Sequence, residues 1–276
     1  MVPRRIWTLW NQGIENAPPV VQACVETWAR WNPDWEVQVL TADTLSQWVD
    51  PVLTQPRAGS QLPYRLSELA RLSLLERHGG VWVDATCFCM KPLDEWLPSV
   101  VGPSGFFAFR RPARERVVAS WFLASDANGY IVRRMWRELS AYYLGHTFRK
   151  SRAQFGPDGP LDRVLNHSIR TTEFWFWPPL PQLRISPYFA FHYLFAKLAR
   201  TDKRFHETWK LTPAFEANGP HSPHSILQNG YGEPPTEEIV QDLERRTVPV
   251  YKLDWRVDPD ELPASSTLKA LLATTS

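Results

Sequence analysis

The sequence predicts an α/β fold: a mostly parallel sheet with flanking helices and a helical carboxyl-terminal extension. Three observations predict it. The amino-terminal part alternates strand-like and helix-like segments in the order β-α-β-α-β, which argues for parallel strands covered by helices. Ser67–Cys89 reads as a helix, a Gly-Gly break and a buried strand ending on a carboxylate, Asp84. After Asp84 come two further strand-like runs and then mostly amphipathic helices, with no Pro- or Gly-rich tract that reads as a domain linker.

Taken in order, residues 4–10 form a first strand, and Asn11-Gln-Gly13 turns the chain. Asn16-Ala-Pro-Pro19 opens a helix that runs to about Trp31, proline being favourable in the first turn. Asn32-Pro-Asp34 stops it, and Trp35–Leu40 alternates as a second strand. Thr41-Ala-Asp43 caps a short helix toward Val49, and Pro51–Pro63 is a loop. Leu66, Leu69, Leu72 and Leu75 then recur at helical spacing. Arg77 and His78 suit the negative end of that helix, and Gly79 suits its left-handed cap. Val81-Trp82-Val83 has the β-branched and aromatic character of a central strand.

Beyond Asp84, Lys91–Trp96 reads as a turn with a short helix, and Phe106–Arg110 and Val117–Ser125 as strands. Gly129–Leu144 is an amphipathic helix, Arg149–Pro160 a basic loop, and Phe174–Trp177 either an aromatic loop or an edge strand. Tyr188–Arg200 is a helix crowded with aromatics. Asn218–His221 is a turn, Thr236–Arg246 a charged helix, Val248–Leu253 a last strand, and the tail carries one small helix.

Composition narrows the function classes. A net charge of +2 without a long Lys/Arg run excludes an electrostatic nucleic-acid binder. Cys24, Cys87 and Cys89 make no disulfide framework, and a reducing cytoplasm suits them. No apolar h-region follows Arg4-Arg5, so no signal peptide is expected, and no apolar run is long enough to span a bilayer. The 14 Trp, 14 Phe and 8 Tyr serve equally as core filler or as platforms for sugars and bases. Asp84 carries the chemistry. A carboxylate at the carboxyl end of a strand in an open α/β sheet can hold a divalent metal or a ribose hydroxyl, or simply start a turn.

Five blocks together resemble the capsular polysaccharide synthesis family of bacterial glycosyltransferases, which is similar to the family 32 sugar transferases. They are Ile6–Gly13, Ser67–Arg71 with His78–Thr86, Tyr188–Phe195, Asn218–His221 and Val250–Leu253. The resemblance implies a GT-A-like (Rossmann-like) fold in one domain over residues 1–276. Within it, 1–125 would be a nucleotide-sugar-binding half and 126–276 an acceptor-side, largely helical half. It implies hexose transfer from a nucleotide sugar, a UDP-sugar first, to a capsular or cell-surface polysaccharide or lipid-linked glycan, with retention. It implies cytoplasmic placement, extending to the inner face of the cell membrane.

The resemblance also assigns residues. Thr8, Leu9 and Trp10 would line the nucleotide pocket, Glu68 and Arg71 would lie near the ribose, and Asp84 would meet the nucleotide sugar and a metal. Two positions depart from the family 32 pattern: Glu68 stands for Asp, and Thr86 stands for the second Asp of D-x-D. With Asp84 and Thr86 as first ligands, Mn²⁺ or Mg²⁺ would be held mainly through the substrate. His221 follows Gly-Pro in a turn and is a third metal candidate or a phosphate donor, against a plain loop histidine. Lys252 either reaches the diphosphate, which makes it catalytic with Asp84 and Arg71, or is an exposed strand lysine. His192 reads as a packed core histidine, and Asp126 and Glu173 as unselected candidates for a base. Tyr188–Arg200 is read as a core helix in preference to one lying on a membrane. The rival functional reading is a non-catalytic nucleotide- or sugar-binding protein with a degenerate D-x-D site. A nucleotidyltransferase ranks lower, because the first loop offers only Gly13.

Overall fold

The computed structural model describes residues 1–55, 63–148, 160–222 and 231–274. Arg149–Lys150 and residues 151–159, most of the expected basic loop, lie outside the described residues. The chain builds a five-stranded sheet in the order β2-β1-β3-β6-β5. Its strands are β1 (Arg5–Leu9), β2 (Glu36–Leu40), β3 (Gly80–Val83), β5 (Phe106–Ala113) and β6 (Arg116–Ser125). β1 pairs in parallel with both β2 and β3, as the β-α-β-α-β pattern requires. The hairpin β5–β6 completes the sheet, and β6 runs antiparallel to β3. Four of the five strands therefore point the same way, and the sheet is mixed at one edge.

Helices cover both faces. The two faces are readable in single strands, because alternate side chains point to opposite sides. Trp7 and Trp82 join a core with α2 (Pro63–His78), α4 (Tyr130–Gly145), α6 (Ala190–Thr201) and α7 (Lys203–Lys210). Ile6, Val81 and Val83 join another with α1 (Pro19–Trp31) and α3 (Leu93–Val101). The carboxyl-terminal helices thus extend the same core. α5 (Pro160–Leu165), α8 (Glu237–Arg245) and α9 (Thr267–Ala273) complete the described helices of this kind. The short helix expected after Thr41 is a single 3-10 turn, Leu45–Gln47, and Phe174–Phe176 ends a 3-10 helix, Thr171–Phe176, that Trp177 follows in extended conformation. The aromatic helix is buried along most of α6, so it is a core helix.

The Gly-Gly break is dictated by close backbone approach. Gly79 and Gly80 have φ of 66° and 98°. A Cβ on Gly80 would stand 2.5 Å from the Arg5 carbonyl oxygen. Only glycine lets the chain leave α2 and enter β3 directly beside β1.

A second sheet pairs β4 (Cys87–Cys89) antiparallel with β7 (Val250–Lys252), placing Lys252 opposite Cys87. Cys24, Cys87 and Cys89 are all free and buried. Burial raises each thiol's pKa, so these are packing residues.

Candidate functional site

The chain runs from β1 to β2 on one side, then crosses to β3 on the other. Strand order therefore reverses between β1 and β3, and in open α/β sheets the ligand crevice lies at the carboxyl ends beside such a point. A cavity of about 350 Å³ opens there. Leu9 and Trp10 reach it from the end of β1, Trp82, Asp84, Ala85 and Thr86 from the end of β3 and the turn after it, and Glu68 and Arg71 from α2. Lys252 closes it from β7, and Tyr188, Phe189, His192 and Trp255 form an aromatic wall.

Asp84 is held from three sides. Its backbone N–H donates to the Trp121 carbonyl at 2.8 Å. The Trp82 indole donates to Asp84 Oδ1 at 3.0 Å, and the Arg71 guanidinium stands 3.4 Å from the same oxygen. The Lys252 ammonium lies 3.8 Å from Oδ2 and donates to the Thr86 hydroxyl. Arg71 is fixed in turn by donation to the Ser120 carbonyl at 2.6 Å and by stacking on Trp82 at 5.2 Å. Two cations and one carboxylate thus share the cavity floor, leaving fixed positive charge for an incoming oxyanion.

Glu68 supplies a second, different acid. It is buried, and the Tyr143 hydroxyl donates to its Oε2 at 2.8 Å. Burial raises its pKa from 4.5 to about 7, against the opposing pull of Arg71, Tyr143 and Arg65. His192 is packed between Phe189 and Phe191, as a core histidine would be, yet it lines the cavity. Burial, with the Arg116 and Arg71 charges, holds its pKa well below the usual range, so its ring is neutral. Its Nδ1 and the Trp10 Nε1 are buried and find no hydrogen-bond partner among the described residues.

Leu9, Trp10, Glu68, Arg71, Asp84, Thr86 and Lys252 come together on this cavity. Thr8 does not: it is buried within β1, away from the cavity lining, because its neighbours Trp7 and Leu9 point to the other face. His221 also stays off the lining, its ring packed on Trp121 at 5.4 Å. Asp126 faces the Met1 amino group, and Glu173 pairs with Arg200; neither reaches the cavity. Tyr64, Ser120 and Trp255 are lining residues that sequence reasoning passed over, and Ser67 lines the cavity although the sequence assigns it no role there. Tyr64 and Ser67 sit one helical turn from Glu68 and Arg71, which is a usable signal. Trp255 carries no such mark.

Among the described residues, no three His, Cys, Asp or Glu side chains gather to hold a metal ion. Asp84 already faces two cations, and Thr86 accepts from Lys252. This donor set does not fit an ion held by the protein alone, since hard divalent cations need several oxygen ligands.

The family model described as capsular polysaccharide synthesis protein matches residues 2–151, more than half of the chain and including Asp84. The chain belongs to the capsular polysaccharide synthesis protein family. Relatives of this family member include O-glycosyltransferase braB of Annulohypoxylon truncatum, 28% identical over 49% of this chain and 36% of its own length. Glycosyltransferase afumC of Aspergillus fumigatus is 31% identical over 33% of this chain and 26% of its own length. The initiation-specific alpha-1,6-mannosyltransferase of Saccharomyces cerevisiae is 25% identical over 34% of this chain and 22% of its own length. The chain spans less than half the length of each of these curated relatives. Among solved structures, PaToxG Glycosyltransferase aligns over 76% of each chain at 15% identity with a TM-score of 0.42, a likeness too slight to argue from.

Proposed function

We infer that this family member is a glycosyltransferase that moves a hexose from a nucleotide sugar, a UDP-sugar first, to a cell-surface polysaccharide acceptor. The observation that carries the reading is the Arg71–Asp84–Lys252 cluster at the β1/β3 switch point. Its support is chemical. As the bond from the anomeric carbon to the diphosphate breaks, negative charge grows on the departing oxygen. Arg71 and Lys252 supply preorganised positive charge where it develops. Asp84 keeps both cations aimed at one place and offers its remaining lone pairs to the sugar or to a cation. Glu68 accepts from a ribose hydroxyl, and Trp10 offers its face to the base.

Retention of configuration needs no dedicated base, and the lining carboxylates among the described residues are both engaged, Asp84 with Arg71 and Lys252 and Glu68 with Tyr143. The acceptor hydroxyl then attacks from the leaving group's side and passes its proton to the departing diphosphate. The new bond joins the acceptor oxygen to the anomeric carbon. Mn²⁺ or Mg²⁺ arriving with the donor would be held by Asp84 together with the diphosphate, and would supply further positive charge to the leaving group. The amino-terminal half would carry the donor, and the helical half the acceptor.

The second reading, a binding protein without turnover, draws on Thr86, whose hydroxyl accepts from Lys252 where the family 32 pattern has a carboxylate. Donor hydrolysis measured across UDP-hexoses separates the two. Asp84→Asn is expected to lower turnover about a hundredfold or more while leaving circular dichroism unchanged. Full turnover in that variant refutes the cluster as the site. UDP binding without turnover in the wild-type protein favours the second reading.

A further inference from the structure

Large apolar side chains are exposed unevenly in this molecule. Val164, Ile169, Phe174, Trp177 and Leu183 are 67%, 40%, 38%, 50% and 52% exposed and fall within one short stretch. Soluble surfaces scatter such residues singly, and a concentration of them marks an interaction site. The stretch is anchored from behind. Trp175 is fully buried and donates to Asn166 Oδ1 at 2.9 Å, Thr172 is buried, and Arg184 Nε donates to the Thr147 carbonyl at 3.0 Å. Trp177 and Phe174 touch edge to face at 4.8 Å, so the two rings form one projecting unit.

Positive charge predominates around these residues, which also include the acids Asp162 and Glu173 in sequence. Arg163, Arg170 and Arg184 are exposed in the same stretch. Glu173 is the sole acidic residue between Arg163 and Arg184, and it pairs with Arg200. Exposed tryptophan and leucine beside exposed arginines match the two layers of an anionic bilayer surface: acyl boundary for the rings, headgroup phosphates for the guanidinium groups. A protein partner would more commonly meet an apolar patch with a rim of mixed charge.

We propose that the surface carried by Phe174, Trp177 and Leu183 with Arg163 and Arg170 docks this chain on an anionic phospholipid bilayer. The same stretch leads directly into the candidate site. Ser186 Oγ accepts from Arg65, and Tyr188 and Phe189 line the cavity. Docking would therefore hold the cavity at the lipid surface, where a lipid-borne acceptor is presented. That consequence rests on the glycosyltransferase reading; the docking surface itself does not.

The test is flotation of the full chain with phosphatidylcholine vesicles, with and without about a third phosphatidylglycerol, at low and high salt. The wild-type protein is expected to float with the anionic vesicles and much less with the neutral ones. Trp177→Ser with Leu183→Ser is expected to weaken binding about tenfold or more. Arg163→Gln with Arg170→Gln is expected to lose roughly fivefold per arginine and most of the salt dependence. Circular dichroism and UDP binding should be unchanged in both variants, since none of these residues lines the cavity. No flotation of the wild-type protein, or equal flotation of the Trp177/Leu183 variant, overturns the proposal. So does a dimer in light scattering that this variant converts to monomer, because a second copy would then cover the patch. Vesicle binding without any UDP binding supports the docking surface and refutes only the reading of the cavity.

Discussion

Glu68 makes stability depend on pH in a direction opposite to that of most carboxylates. Its pKa is raised from 4.5 to about 7, with burial as the leading cause. Between those values the folded protein binds a proton that the unfolded chain has released. Stability from this group is therefore fully present below about pH 4.5 and is lost as pH rises toward 7. Proton linkage with those two pKa values gives a loss of about 2.5 kcal/mol between pH 5 and pH 8. Other groups titrate in the same range, and His192, held neutral, contributes with the opposite sign below its ordinary pKa. Glu68→Gln removes the one ionisation and isolates it. The assay is urea unfolding of both proteins at pH 5 and pH 8. The stability of the wild-type protein relative to the variant should fall by about 2.5 kcal/mol over that interval. A flat difference, or one that rises with pH, refutes the buried, proton-retaining state of Glu68.

Three further predictions follow from the same geometry. Arg71→Lys keeps the charge but cannot both donate to the Ser120 carbonyl and face Asp84, so donor turnover should drop about tenfold or more; unchanged steady-state kinetics would remove Arg71 from the site. Gly80→Ala would drive a Cβ against the Arg5 carbonyl at a φ of 98°, and urea unfolding should show a loss of about 2 kcal/mol or more, whereas wild-type stability would refute the close approach. Calorimetry with Mn²⁺ alone should show no saturable site, and binding should emerge once UDP is present; tight Mn²⁺ binding by the free protein would contradict the donor set around Asp84.

Much of the architecture was legible before any coordinates. The Gly-Gly break, the apolar face of α2 and the strand Val81–Val83 are local signals, and local signals survive folding. The hairpin β5–β6 was legible as two strands but not as antiparallel to β3, because pairing direction is a long-range outcome. Thr8 was misplaced by a single position: a side-chain period of two sends neighbours to opposite faces, and only the sheet says which face meets the cavity. His192 was read as core and is core, yet it also touches the cavity, since a helix packed on the sheet's rim belongs to both.

From the sequence alone came the strand-end carboxylate, the helix that carries Glu68 and Arg71, and the blocks that resemble a sugar-transferase family, because each is written in contiguous residues. Only the tertiary structure brought Lys252 against Asp84 and Thr86, since that contact joins residues from distant parts of the chain through the pairing of β4 with β7. The same holds for the raised pKa of Glu68. Desolvation is a property of everything that surrounds a group, and no stretch of neighbouring residues encodes it.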